Sequence, residues 1–293
     1  MTQAGLPSLP TAAELRRLDV DFGSRQVAVG QGAAVSVREC GHGPAVVCLH
    51  GIGSGAASWQ PLAQRLQSAT RLIAWDAPGY GASTPLASAT PQAAQYAERL
   101  HALLDALEIT RCTLVGHSLG ALVAVAAARA AWCERAARFE QVILISPARG
   151  YGAQPLQALK VRGERLATLE VQGIAAMAAQ RSSRLLSDGA NASARQWVHW
   201  NMAQLNERGY RQAIELLCSE DVVRHLPLAV PLQVWVGALD EITPPSACET
   251  IARAAHTQLQ LIADAGHACY VEQPDAVASL LRTALQEPGG PKP

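Results

Sequence analysis

The stretch Cys112-Thr113-Leu114-Val115-Gly116-His117-Ser118-Leu119-Gly120 decides the fold. Its first four residues have strand character, and Ala121-Leu122-Val123-Ala124-Val125-Ala126-Ala127-Ala128 predicts a buried helix. A serine on so sharp a strand-to-helix turn is held in a strained backbone conformation. Small residues two before and two after it prevent a collision across the turn. The turn pushes the hydroxyl into a cleft at a sheet edge, and the helix aims its N-terminal N–H groups at charge developing there.

Outward from this turn, strands alternate with helices. Upstream, β-like segments are expected at 26–29 and 34–38, a fully buried strand at 45–49, a helix at 59–67 and a strand at 71–75. A helix follows at 91–107, with Thr90 as N-cap and Pro91 in the first turn. Downstream come a buried strand at 141–145, a strand at 232–236, a helix at 246–255, a strand at 258–262 and a closing helix at 275–286. Such alternation predicts an α/β fold, a mostly parallel sheet with helices on both faces. Between Pro147 and Leu228 no strand is expected, only helices at 156–169, 171–186, 192–205 and 210–218. An insertion of this kind reads as a helical cap over the sheet's C-terminal edge, where open α/β sheets bind ligands. The predicted division is a core of 23–147 and 229–287, a cap of 148–228, a lead-in of 1–22 and a disordered tail of 288–293.

At 293 residues and 49% hydrophobic, the chain has material for a large core, built from Ala, Leu and Val because aromatics are only 4%. Lys+Arg and Asp+Glu balance at 24 each, which gives nucleic acid no basic face to bind. The seven cysteines are an odd count without a C-x-x-C pair, so neither a disulfide framework nor a zinc site is expected. No secretory signal is visible, and the longest apolar run, Leu119 to Ala128, is too short for a bilayer. The expectation is a cytoplasmic protein acting on a small molecule, with no membrane or nucleic-acid partner. Oligomeric state is not legible.

A serine hydroxyl needs an adjacent base, and the base an orienting carboxylate. Of eight histidines, His267 in Ala265-Gly266-His267-Ala268 follows the last predicted strand, and Asp240 lies just past the penultimate one. Both turns fall at the edge that carries Ser118. The neighbouring acids Glu241 and Asp264 are weaker candidates, Asp264 being on the wrong side of its turn. Backbone donors for an oxyanion are expected at Leu119 and at Ile52 of the loop His50-Gly51-Ile52-Gly53-Ser54-Gly55, with Gly53 as the alternative. His50 and His117 flank the site as structural groups, His50 supporting this loop. Pocket candidates are Gly51, Gly53, His117 and, in the cap, Trp197, Trp200 and Met202, although the cap residues' spacing also fits packing. Neither H-E-x-x-H nor a phosphate-binding glycine motif occurs, so no metal and no cofactor are expected.

Together His50-Gly51-Ile52-Gly53, Asp76-Ala77-Pro78-Gly79-Tyr80-Gly81-Ala82-Ser83, Gly116-His117-Ser118-Leu119-Gly120, Gly237-Ala238-Leu239-Asp240 and Gly266-His267 resemble the α/β-hydrolase fold family. The likeness covers about residues 33 to 286 apart from the cap. It implies Ser118 as nucleophile, Asp240 as orienting acid, His267 as base and Asp76–Gly81 as a structural loop. A serine at the nucleophile position disfavours the aspartate-nucleophile dehalogenases and epoxide hydrolases. The leading expectation is a cofactor-free hydrolase of a small, mainly apolar ester, thioester or lactone. One alternative is a carbon–carbon bond hydrolase of ring-fission products. Those enzymes often carry Trp directly after the histidine, where Ala268 stands here, and use a cap arginine, for which Arg162, Arg165, Arg181 and Arg184 are candidates. Arg181 and Arg184 otherwise read as a solvated face. An alternative of another class is a ligand sensor on a hydrolase scaffold.

Overall fold

The computed structural model describes residues 7–130 and 138–286, so Cys133 and the expected disordered tail lie outside the described residues. Eight strands form one sheet in the order β1-β2-β4-β3-β5-β6-β7-β8. They are β1 (Gly23–Ala28), β2 (Ala34–Cys40), β3 (Ala45–Leu49), β4 (Arg71–Trp75), β5 (Cys112–His117), β6 (Phe139–Ile145), β7 (Leu232–Gly237) and β8 (Leu259–Ile262). β2 pairs antiparallel with both β1 and β4, and every pairing from β4 to β8 is parallel.

Successive side chains of a strand point to opposite faces, so an apolar run with both faces covered feeds two cores. Val47, Leu49, Leu114, Val142 and Leu144 join one cluster, which includes α3 (Ala93–Ala106), α4 (Leu119–Ala130) and α8 (Pro245–Ala254). Val46, Cys48, Val115, Ile143 and Ile145 join the other, with α1 (Ala12–Asp21), α2 (Gln60–Leu66) and α10 (Pro274–Gln286). All described cysteines are free, and burial raises the Cys112 and Cys248 thiols to about 12, in keeping with a packing role.

Between β6 and β7 lie α5 (Pro155–Arg181), α6 (Ala192–Ala203) and α7 (Glu207–Ser219). The expected break after Leu169 is misplaced. The chain stays helical to Gly173, whose φ of 71° kinks α5, and a 3₁₀ turn at Ser182–Leu185 then ends the segment. Nor does Thr90 cap α3. Gln92 occupies that position with extended backbone, and its N–H donates to the Gln95 side chain at 3.0 Å, so the helix starts later than Pro91. No helix among the described residues is long and apolar enough to cross a membrane.

Candidate active site

β5 delivers Ser118 to the C-terminal edge of the sheet, and α4 begins at the next residue. Ser118 has φ 51°, an uncommon value for a residue with a Cβ. Three backbone bonds hold it there: its N–H donates to Ile145 at 3.0 Å, and its carbonyl accepts from Ala121 and Ala148, each at 3.1 Å. The flanking glycines are sterically required. A Cβ on Gly116 would stand 2.7 Å from the Gly120 oxygen, and one on Gly120 2.3 Å from the Leu49 oxygen.

The turns after β7 and β8 are laced together, Ala238 donating to Ile262 at 2.8 Å and Leu239 to Ala265 at 2.9 Å. They bring Asp240 Oδ2 to 2.9 Å from His267 Nδ1, with both side chains buried. The other oxygen, Oδ1, accepts from the N–H groups of Ile242 and Thr243 at 2.8 and 2.9 Å. Burial alone would raise the Asp240 pKa. The hydrogen bond and charge of His267, followed by the Thr243 N–H, outweigh burial and hold it below the ordinary value. With Nδ1–H donated to the carboxylate, His267 keeps a lone pair on Nε2. Ser118 and His267 line the same cavity, whose volume is about 440 Å³.

The loop after β3 forms another wall of this cavity, including Gly51, Ile52 and Gly53. His50 fixes the loop's shape. Its Nε2 accepts from the Ala77 N–H at 3.0 Å, which assigns the proton to Nδ1, and Nδ1–H donates to the Gly51 carbonyl at 2.8 Å. Burial lowers the His50 pKa and favours this neutral form. Neither the Ile52 nor the Leu119 N–H donates to another described residue.

His117 donates Nε2–H to the His267 carbonyl at 3.0 Å. Burial, then the neighbouring His267 charge, lower its pKa to about 3, so it stays neutral. Met202 reaches the cavity, with its Cε 2.9 Å from where a Cβ on Gly53 would lie. Trp197 and Trp200 do not belong to the cavity wall. Their rings stack at 5.0 Å, and Trp197 packs into the second core cluster. Arg184 is exposed, as the solvated-face reading has it, and Arg181 is half-buried; both also border the cavity together with Arg165, whereas Arg162 pairs with Glu215 at 2.7 Å.

Three further residues support the site. Thr243 Oγ1 lies 2.9 Å from Asp240 Oδ2 and 3.2 Å from His267 Nδ1. Asp240 forms an Asx turn with the Ile242 N–H, which an aspartate after a strand favours, and this turn brings Thr243 back beside it. Tyr270 stacks on Trp59 at 4.1 Å, and its hydroxyl lies 3.0 Å from that of Ser58. Glu272 is buried and accepts from Gly266 N–H at 2.8 Å and from both the N–H and the hydroxyl of Ser187 in the cap. No local pattern marks Glu272, because its partners are long-range or backbone.

Residues 46–280 match the profile of the alpha/beta hydrolase family. The chain belongs to that family. As a member it is 27% identical to the 3-oxoadipate enol-lactonase 1 of Acinetobacter baylyi, over 84% of this chain and 90% of that protein. It is 30% identical to the pimeloyl-[acyl-carrier protein] methyl ester esterase of Vibrio vulnificus, over 80% of this chain and 92% of the relative. Among solved structures, a thermophilic esterase from Thermogutta terrifontis superposes with a TM-score of 0.79 at 24% identity, covering 90% of this chain and 98% of that one. The enol-lactonase from Burkholderia xenovorans LB400 gives 0.78 at 23% identity, over 89% of this chain and 100% of its own. At these identities the structural likeness speaks for the fold alone.

Proposed function

We propose that this member of the alpha/beta hydrolases is a serine hydrolase that cleaves a small carboxylic ester or lactone through an acyl-enzyme. The observation that carries the reading is the buried 2.9 Å Asp240–His267 contact on the rim where β5 delivers Ser118. In the first half-reaction His267 Nε2 takes the proton of Ser118 Oγ as the oxygen bonds to the substrate carbonyl carbon. Negative charge moves to the carbonyl oxygen, which the N–H groups of Ile52 and Leu119 receive. One such donor lowers the barrier by about 3 kcal/mol. Collapse breaks the bond to the leaving alcohol, which takes the proton from His267. A water then gives a proton to Nε2 and attacks the acyl carbon, and collapse returns Ser118 and a carboxylic acid. Asp240 holds the tautomer and stabilises the imidazolium throughout. The names of the two relatives, a lactonase and a methyl ester esterase, support the same class of bond.

A panel of p-nitrophenyl and methyl esters tests this. The parent chain should hydrolyse at least one, Ser118→Ala should lose at least about 10³-fold in kcat, and a fluorophosphonate should label Ser118 alone. Full activity in Ser118→Ala, or labelling elsewhere with Ser118 untouched, overturns the mechanism. An unlabelled Ser118 with no turnover favours the ligand-sensor alternative.

A further inference from the structure

One corner of the cavity carries polar groups that the proposed chemistry does not use. On α6, Val198, Asn201 and Met202 follow the i, i+3, i+4 spacing of one helical face, and all three line the cavity. Asn201 is the polar member of the three and is only 5% exposed. Its Nδ2 donates to the Trp197 carbonyl at 2.9 Å, which sets the orientation of the amide. Its Oδ1 accepts no hydrogen bond from any described residue, yet it is not sealed inside the protein. An open acceptor therefore meets the cavity.

Met202 ties this face to the loop after β3, because its Cε stands so close to Gly53. Ser54, the next residue of that loop, lines the cavity as well. α6 also packs on the 3₁₀ turn Ala56–Trp59 and on the short helix Cys269–Glu272, which carry Ser58 and Tyr270. Each of these hydroxyls has one proton to give, and that fixes the order of donation. Ser58 gives its proton to the Gly55 carbonyl at 2.7 Å, so Tyr270 donates to Ser58 at 3.0 Å. Ser54 is left 3.4 Å from the Tyr270 oxygen, longer than the roughly 2.5–3.0 Å of a good O–H···O bond. So weak a contact leaves the Ser54 proton free to turn to an oxygen in the cavity. The corner thus offers one neutral acceptor, Asn201 Oδ1, and one neutral donor, the Ser54 hydroxyl. A ketone would use only the donor and an amide N–H only the acceptor. An alcohol uses both through one oxygen. The corner is also near the reacting carbon: Ser54 N–H closes a turn onto the Gly51 carbonyl at 3.2 Å, and a Cβ on Gly51 would stand 3.0 Å from Ser118 Cβ.

We infer that the acyl chain of the substrate bears a hydroxyl close to its carbonyl, on the third carbon, and that Asn201 and Ser54 receive it. The class is an ester of a short 3-hydroxy acid. This rests on the reading of Ser118 as nucleophile, since that fixes where the acyl carbon sits. The remainder of the chain meets apolar wall such as Met177 and Val198.

The test compares kcat/KM for the two enantiomers of methyl 3-hydroxybutanoate, for methyl acetoacetate and for methyl butanoate. Each value is divided by that for methyl butanoate on the same preparation, so a partly folded variant does not distort the ratio. In the parent one enantiomer should be preferred over methyl butanoate by about tenfold or more. Asn201→Leu and Ser54→Ala should each lower that preference about fivefold, the loss of one hydrogen bond. For acetoacetate, which can only accept, Ser54→Ala should lower the ratio and Asn201→Leu should leave it unchanged. No turnover of either hydroxy ester, no preference for one, or a preference that survives either substitution overturns the inference. Ser118→Ala assayed on the same esters separates the two readings. If it matches the parent, the nucleophile assignment fails. If it is inactive and the ratios do not respond to Asn201 and Ser54, the hydroxyl site alone fails.

Discussion

A carboxylate as buried as Asp240 stays charged only because several donors converge on it, and Thr243 supplies two of them. Its hydroxyl hydrogen is shared between Asp240 Oδ2 at 2.9 Å and the Ser146 carbonyl at 3.0 Å. Thr243→Val keeps the shape and removes that donor, a loss of about 1 kcal/mol. We therefore expect kcat on an ester substrate to fall roughly fivefold, with KM unchanged, as steady-state kinetics would read. Asp240→Asn reverses the hydrogen-bonding pattern at His267 Nδ1 and should lower kcat by about 10⁴. His117 governs stability in a different way. Its native pKa is about 3 against an ordinary 6.5, so as pH falls through that interval the unfolded chain takes up a proton that the native protein refuses. Stability contributed by neutral His117 is thus complete above pH 6.5 and drains away toward pH 3. His50, lowered by burial, acts with the same sign. Urea midpoints at pH 7.5, 6 and 5 should decline more steeply for the parent than for His117→Gln; parallel declines would refute this account.

At the scale of elements, the turn carrying His267 is tied to the cap. Ala268 N–H donates to Leu185 at 2.7 Å, and the Glu272 carboxylate bridges Gly266 and Ser187. Glu272 terminates α9 (Cys269–Glu272), so this short helix after the histidine works as a bracket between β8 and the cap. Hydrogen bonds to a charged group contribute about 1.5–3 kcal/mol. Glu272→Gln should lower unfolding free energy by about 2 kcal/mol in urea. Its effect should be less than additive with Ser187→Ala, because the two changes remove one shared bond. The contrast with β3, β5 and β6 explains what the sequence made legible. Each of those strands holds an apolar run, such as residues 46–49 or 142–145, and a parallel sheet covered on both faces dictates that pattern locally. The expected positions of Ser118, Asp240 and His267 followed from it, since each lies in the turn that leaves a strand. The cap offered no such rule. Trp197 and Met202 are five residues apart on α6, about 140° around a helix of 3.6 residues per turn, so only one of them could face the cavity. Periodicity does not say which, because the choice depends on how α6 meets the sheet. Glu272 was missed for the same reason: a charge on a helix looks solvated until its long-range neighbours are known.

For the whole molecule, the turns at the sheet edge carry the proposed reacting groups, and the helices between β6 and β7 wall the cavity beside them. Met202 belongs to the first core cluster and also walls the cavity beside Gly53, whereas Trp197 belongs to the second cluster and does not touch the cavity. The two residues should therefore separate specificity from stability. Met202→Ala removes side-chain volume from a cavity of about 440 Å³ and should shift the best acyl chain of a p-nitrophenyl ester series toward greater length. It should also destabilise by about 2–4 kcal/mol. Trp197→Ala should destabilise by a similar or larger amount, about 3–5 kcal/mol, and leave the order of chain-length preference as in the parent. Relative kcat/KM across acyl chains of increasing length, measured at a temperature where each variant is folded, checks both outcomes. A shift in Trp197→Ala with none in Met202→Ala would mean that the indole, not the thioether, bounds the acyl site, and the placement of the cap over the sheet edge would have to be redrawn.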